Sequence, residues 1–258
     1  MQHELTQAWI LTFTLILARV AALIATVPLF GGNNLPNLVK VGFSLSLAAM
    51  WFGAFGAEPT EDVRMLASQA HWLGIGLATL REVIFGAVLG FTFNLLLMPM
   101  RIAGAYIGQE MGLSMASLTD PTQPGASSVV AQLFDAFGIL LFFGLDIHHA
   151  MLTSVHSAFE RWPCGSPMSL TAPAYRVAVG FADSQEWALQ IAAPVGVCLF
   201  LTLVVLFLMA KASPQLNLFT FGMPVRLAIG LVGMLLFLPD TFVLMQRLFV
   251  KVGGIIVS

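Results

Sequence analysis

Charge is what this sequence lacks most. Only 9% of its 258 residues are charged, while 58% are hydrophobic. A soluble domain of ordinary composition carries about 25% charged and about 45–50% apolar residues. There is too little charge here to coat a water-facing surface. That excludes an ordinary cytosolic enzyme, a disordered chain and a nucleic-acid binder with a basic patch. The formal net charge is −2, so no polyanionic partner is implied. Lipid or other apolar protein must cover most of the surface.

Chemistry-bearing patterns are also missing. The two cysteines, Cys164 in a polar loop and Cys198 in an apolar run, form no C-x-x-C pair, and a disulfide between them is not expected. Both read as packing residues. No H-E-x-x-H and no G-x-S-x-G occurs, so neither a zinc hydrolase nor a serine hydrolase has support. No catalytic residue, cofactor site or metal site is expected.

Long apolar runs fill the space. Residues 8–30 hold one charge, Arg19; residues 41–57, 83–100 and 187–210 hold none; residues 212–239 hold only Arg226. Residues 129–156 are apolar but carry Asp135, Asp146, His148, His149 and His156. A bilayer core of ~30 Å needs about 20 such residues per spanning helix. The runs are continuous rather than alternating, so the fold class is all-α and not a membrane barrel. Met1-Gln2-His3-Glu4 has no basic region of a cleaved leader, so the first run reads as a retained helix.

Short loops separate the runs. Residues 31–36 read as a turn, 58–62 as an acidic loop, and 119–125 as a loop dense in proline and glycine. Residues 160–186 form the longest polar stretch, with Pro163, Pro167 and Pro173, and are the best boundary before a C-terminal helical hairpin turning near Lys211–Pro214. No tandem repeat of fixed period is present. Lys40, Arg64, Arg101 and Lys211 read as single loop cations. They do not alternate between sides, so they set no clean membrane topology.

Gly104, Gly108 and Gly112 recur every four residues and line one helix face, and Gly86 and Gly90 repeat the spacing. Such stripes let helix backbones approach closely. Pro28, Pro99, Pro194 and Pro224 sit in or at the ends of apolar runs, where each kinks or ends a helix. Arg19, Arg81, Glu82, Glu110, Asp135, Asp146 and Arg226 lie in or beside apolar segments. Charges in such places pair with one another or line a wet path. Structural pairing is favoured over a proton relay. Asp146, His149 and His156 would share roughly one face of a helix, but polar anchoring at a helix end outweighs a metal site.

The segment from Met111 through Met115, Ala116, Ser117, Leu118, Thr119, Asp120 and Pro121 follows the glycine stripe and runs into the Pro/Gly loop. It is apolar, rich in adaptable methionine and flanked by helices. A non-helical segment at membrane depth must line a cavity or be buried in protein. Gate or plug and ordinary helix-to-helix turn are both open on these residues alone.

The stretch Ala103-Gly104-Ala105-Tyr106-Ile107-Gly108-Gln109-Glu110-Met111-Gly112-Leu113-Ser114, continuing to Asp120-Pro121, resembles the central motif of the FliR/SctT family of type III export-gate proteins. Ala212-Ser213-Pro214-Gln215-Leu216-Asn217-Leu218-Phe219, then Phe221-Gly222-Met223-Pro224-Val225, does so too. Arg19, Pro28, Leu35-Pro36, Val39-Lys40, His148-His149, Ser157-Ala158-Phe159 and Pro163 follow in the family's order. The likeness covers nearly the whole chain. The P-Q-L-N-L-F form and the M-G-L-S block are specific together and favour the flagellar branch. Glu110 and Asp146 depart from the family pattern, which is less charged there.

The resemblance implies an all-helical, non-enzymatic export-gate component. Residues 1–185 would be FliP-like, with a plug loop at about 112–128, and residues 186–258 a FliQ-like hairpin. One copy would join FliP and FliQ, with FlhB around the entrance and FlhA and secreted flagellar subunits as further contacts, at the inner membrane in the flagellar basal body. Membrane lipid would cover part of the surface, and no nucleic acid is expected. Met111 and residues 115–121 would form the plug. Gly104, Gly108 and Gly112 would set close packing beneath it, while Pro214, Gln215, Asn217, Phe219 and Pro224 would serve helix packing and assembly. The injectisome SctT protein is the near alternative. A multi-pass secondary transporter would need two related halves with broken helices, and no such symmetry is visible. A purely structural scaffold is the remaining rival.

Overall fold

A computed structural model of the protein describes residues 2–27, 36–55, 59–69, 72–113, 129–166, 171–213 and 218–257. Eight α-helices account for most of them: α1 Gln2–Thr26, α2 Asn37–Phe55, α3 Glu61–Gln69, α4 Trp72–Glu110, α5 Val129–Gly144, α6 Ile147–Arg161, α7 Thr171–Ala212 and α8 Leu218–Val257. Among the described residues there is no strand. The all-α expectation is met.

Hydroxyl residues inside these apolar helices satisfy themselves. Thr12, Thr26, Ser44, Thr92, Thr202 and Thr241 each donate to the carbonyl four residues earlier. That back-bonding removes an orphan donor from a low-dielectric setting. Prolines are absorbed rather than terminating. Pro99 lies inside α4, Pro194 inside α7, and Pro224 and Pro239 inside α8. The helices therefore outrun the apolar runs. α4 starts at Trp72, before residue 83, and α7 starts at Thr171, well inside the polar stretch expected as a boundary. Pro173 stands in the first turn of α7, where a missing N–H has no helical partner to lose.

The four cations read as loop residues all lie in helices: Lys40 in α2, Arg64 in α3, Arg101 in α4 and Lys211 in the last turn of α7. The run 129–156 is divided at Leu145-Asp146 into α5 and α6. Asp146 takes a left-handed φ of 55°, so it is the turn residue before α6 and not part of a helical face shared with His149 and His156. The glycine-rich turn at 31–36 lies outside the described residues except for Pro36.

Two compact units divide the chain. The first comprises residues 1–95, 148–180 and 256–258; the second comprises 96–147 and 181–255. In the first, α1 packs on α2 and α3. Its core stripe is Leu15, Ile16, Val20, Leu23 and Ile24, all at most 3% exposed, with Trp51, Phe85 and Phe159 beside it. Phe52 of α2 receives Trp9 and Phe13 of α1 edge-on at 5.7 and 5.5 Å.

In the second unit, Ala188, Ile191, Ala192, Val195 and Leu199 form one buried stripe of α7 at helical spacing. α7 and α8 run antiparallel: Val195 lies against Gly233 and Leu206 against Gly222, eleven residues apart on each helix. The outer surfaces of both helices are apolar and exposed, at Phe200, Leu201, Phe207 and Leu208 on α7 and at Leu231, Val232, Leu235 and Leu236 on α8. Five described helices are long and apolar enough to cross a membrane, or six if α5 and α6 together count as one broken span. The protein is membrane-embedded.

Candidate functional site

The first unit is built around one buried ion pair. Arg19 on α1 and Glu82 on α4 are 3% and 4% exposed, and the Arg19 Nε donates to Glu82 Oε2 at 2.6 Å. The guanidinium also donates through Nη1 to the Trp162 carbonyl at 3.0 Å. Its faces are covered by the Phe85 and Phe159 rings, 4.7 and 4.6 Å from the guanidinium carbon. Glu82 Oε1 accepts from the Gly165 amide at 3.0 Å. One ion pair thus ties α1, α4 and the turn after α6 together. A buried pair persists when it gains further hydrogen bonds, and here the Trp162 carbonyl and the Gly165 amide supply one to each partner. Aromatic faces add cation–π attraction to that pair.

Close backbone approach makes this geometry possible. A Cβ added to Gly86 would run into the Arg19 carbonyl oxygen, and one added to Gly90 would meet Thr26 Oγ1 and lie 2.6 Å from the Leu23 carbonyl. The Cys164 thiol is buried beside the pair. Desolvation pushes it from 9.0 up to about 12, with Arg19 lowering it and Glu82 raising it.

The second unit holds the residues around the expected plug. α4 and α5 pack antiparallel: a Cβ on Gly104 would lie 2.7 Å from Phe134 Cβ and 2.9 Å from Ala131 Cα, and Gly138 faces Met100. Gly108 is buried on the same face as Gly104. Gly112 differs in kind. Its φ is +83°, the Leu113 amide reaches back to the Gly108 carbonyl at 3.1 Å, and the Gly112 amide to that of Gln109 at 3.0 Å. This is a Schellman motif, in which a glycine in the left-handed conformation satisfies the last carbonyls of a helix. Met111, just before it, is 2% exposed and seats on Gly230 of α8, where a Cβ would lie 2.6 Å from Met111 Cγ. Between α4 and α5, Arg101 meets Asp135 in a bidentate pair, Nε donating to Oδ1 at 3.2 Å and Nη2 to Oδ2 at 3.1 Å, with Nη2 also 2.9 Å from Oδ1.

Of the seven charges singled out in sequence, Arg19 and Glu82 are buried and paired, and Asp135 is half-buried and paired with Arg101. Arg226 is half-buried, while Arg81, Glu110 and Asp146 are exposed in the single chain. Pro224 is exposed on α8. Residues 115–121 of the expected plug, together with Pro214, Gln215 and Asn217, lie outside the described residues, as does the side chain of Phe219. Sequence reasoning passed over Phe85, Gly138 and Gly230, and gave Phe159 a place in the family's order but no packing role. The pairing of Arg101 with Asp135 also escaped it. Isolated glycines in apolar helices are a signal for close packing, and would have found Gly138 and Gly230.

Comparison with known proteins gives a consistent picture. The chain is 29% identical over 252 residues to the flagellar biosynthetic protein FliR of Escherichia coli (strain K12), covering 96% of this chain and 92% of that protein. It is 27% identical over 240 residues to FliR of Bacillus subtilis (strain 168), covering 92% and 90%. It is also 27% identical over 233 residues to the Yop proteins translocation protein T of Yersinia pestis, covering 88% and 85%. The sequence profile of the bacterial export proteins, family 1, matches residues 10–252, and the chain belongs to that family.

Proposed function

We propose that the chain is a non-enzymatic core subunit of a flagellar type III protein export gate, one copy assembling with FliP and FliQ relatives in the bacterial inner membrane at the flagellar basal body. The observation that carries this reading is the joint presence of the M-G-L-S block at 111–114 and P-Q-L-N-L-F at 214–219 in a chain matched by the export-protein family over residues 10–252. Residues 1–185 are the FliP-like part and 186–258 the FliQ-like hairpin, with FlhB at the entrance and FlhA and unfolded flagellar subunits as further contacts.

Helix length supports an assembled rather than a solitary state. At a rise of 1.5 Å per residue, the 42-residue α7 and the 40-residue α8 would each run to about 60 Å, roughly twice a ~30 Å hydrocarbon core. Their apolar outer faces then need protein cover as well as lipid. Met111 seated on Gly230 and the capped end at Gly112 give residues 115–121 a fixed starting point, as a plug requires.

Tagged chain expressed with FliP and FliQ relatives should co-purify with both in mild detergent and be unstable alone. A well-behaved monomer that leaves both relatives behind would count against the reading. An injectisome role is the second reading, favoured by the likeness to the Yersinia pestis protein. Restoration of swimming to a strain lacking its flagellar relative selects the flagellar role; restoration of injectisome secretion alone selects the other.

A further inference from the structure

We infer that the turn between α5 and α6 holds a divalent cation of the zinc type, with Asp146, His148 and His149 as its ligands. The inference goes beyond the export reading and does not depend on it.

The donors come from one short stretch, Asp146-Ile147-His148-His149. One ligand atom from each of Asp146, His148 and His149 lies within 4.8 Å of the other two. Atoms so spaced share a point no more than about 2.8 Å from each, and zinc bonds to imidazole nitrogen and carboxylate oxygen are about 2.0–2.2 Å long. Side-chain shifts of at most about 0.8 Å therefore complete the bonds. The two imidazole rings already lie 4.2 Å apart, centre to centre, with 36° between their planes. The left-handed φ of Asp146 takes it out of the helical path and sets its carboxylate with these rings. A continuous helix would group Asp146 with His149 and His156 instead. His156 stands two turns along α6, where its Nε2 lies 3.7 Å from a Glu160 carboxylate oxygen.

The donor set selects the ion. Two imidazoles and a carboxylate suit zinc, copper and nickel, whereas calcium and magnesium take oxygen ligands. The setting favours a cation as well. α5 and α6 form a broken apolar span, bent by 69° at this turn. The C-terminal pole of α5 ends at Gly144, and the ends of interrupted helices at membrane depth supply the negative pole that a cation needs. Ionisable side chains in such spans mark ion sites. Asp146 and His149 are exposed and His148 is half-buried, so an ion can reach the turn and keep water in its remaining positions.

Metal binding by the full-length chain tests the inference. The chain, with an affinity tag free of histidine, is purified in mild detergent with whatever partners it brings, stripped with a chelator and dialysed against zinc chloride. One zinc should remain per chain. His149→Gln and Asp146→Gly should each weaken binding at least tenfold, because even changes outside the ligand shell cost about 10–100-fold. Glycine adopts a positive φ without strain, so Asp146→Gly removes the carboxylate and keeps the turn. His156→Gln should bind as the wild type does. Copper(II) in place of zinc should show splitting from two imidazole nitrogens in its paramagnetic resonance spectrum, and from one in His149→Gln. Failure to retain zinc, equal retention by His149→Gln and Asp146→Gly, or an equal loss in His156→Gln would overturn the inference. FliP and FliQ relatives are scored in the same preparations. Their presence without bound zinc defeats the metal site alone; their absence from a chain that binds zinc defeats the export-gate reading alone.

Discussion

Arg19 and Glu82 stand 63 residues apart in the chain and meet at 2.6 Å inside the first unit, screened from solvent by Phe85 and Phe159. Glu82→Ala would leave a buried guanidinium with its main partner gone. Breaking a buried pair from one side costs about 3–5 kcal/mol. Exposed pairs are worth about 0.2–1 kcal/mol, so Arg101→Ala should weaken the fold far less. The thermal midpoint of the purified complex, with cellular protein level beside it, measures both. The double variant Arg19→Met/Glu82→Leu should be more stable than either single one. Equal losses for Glu82→Ala and Arg101→Ala would show that the buried pair is not the anchor.

Glycines at close contacts should tolerate no side chain. Gly104→Val forces Phe134 and the Ala131 backbone away from α4, and overpacking of this kind costs about 1–3 kcal/mol. A Cβ added at Gly76 would meet nothing within 4 Å, so Gly76→Ala should be neutral or mildly stabilising. Gly112 fails differently, because its φ of +83° is the difficulty and not space. Gly112→Ala should cost about 1–2 kcal/mol, and Gly112→Asn less, since asparagine visits that conformation more readily. Swimming-plate diameter and protein level, read together, separate the three cases.

Cys164 should be inert in the folded protein. Its thiol is pushed up to about 12 by burial, so its thiolate fraction at pH 8 is about a thousandfold below that of an ordinary cysteine at 9.0. In a Cys198→Ala background, iodoacetamide at pH 8 should modify the protein only after unfolding. The linked effect on stability has a definite sign. The folded state keeps a proton that the unfolded state sheds above pH 9.0, so stability falls as pH rises from 9.0 to about 12. The slope reaches at most ~1.4 kcal/mol per pH unit, and Cys164→Ala should remove it. Rapid alkylation of the folded protein would contradict the burial.

Much of the fold was legible because apolar runs long enough to span a bilayer have few alternatives to helix. The ends were not. Thr171 begins its helix inside a polar stretch and Trp72 starts eleven residues ahead of the run read from residue 83, because long helices continue wherever tertiary packing holds them, through Pro99 and Pro194 alike. Arg19 and Glu82 were recognisable as misplaced charges, but nothing local in the sequence says which partner lies 63 residues away. Gly112 illustrates the limit of periodicity. It completes the four-residue stripe with Gly104 and Gly108, yet it caps the helix that the other two pack. Spacing alone does not distinguish a packing glycine from a capping one; dihedral angle and hydrogen bonds do.

We propose that this chain helps to close and open an export pore. Removing residues 118–125 from a chain that still assembles with its partners, and measuring inner-membrane conductance to small ions, tests it most directly. The account predicts a leak that is absent in the wild type and that requires the assembled complex. Conductance at the wild-type level in a correctly assembled deletion variant would contradict it.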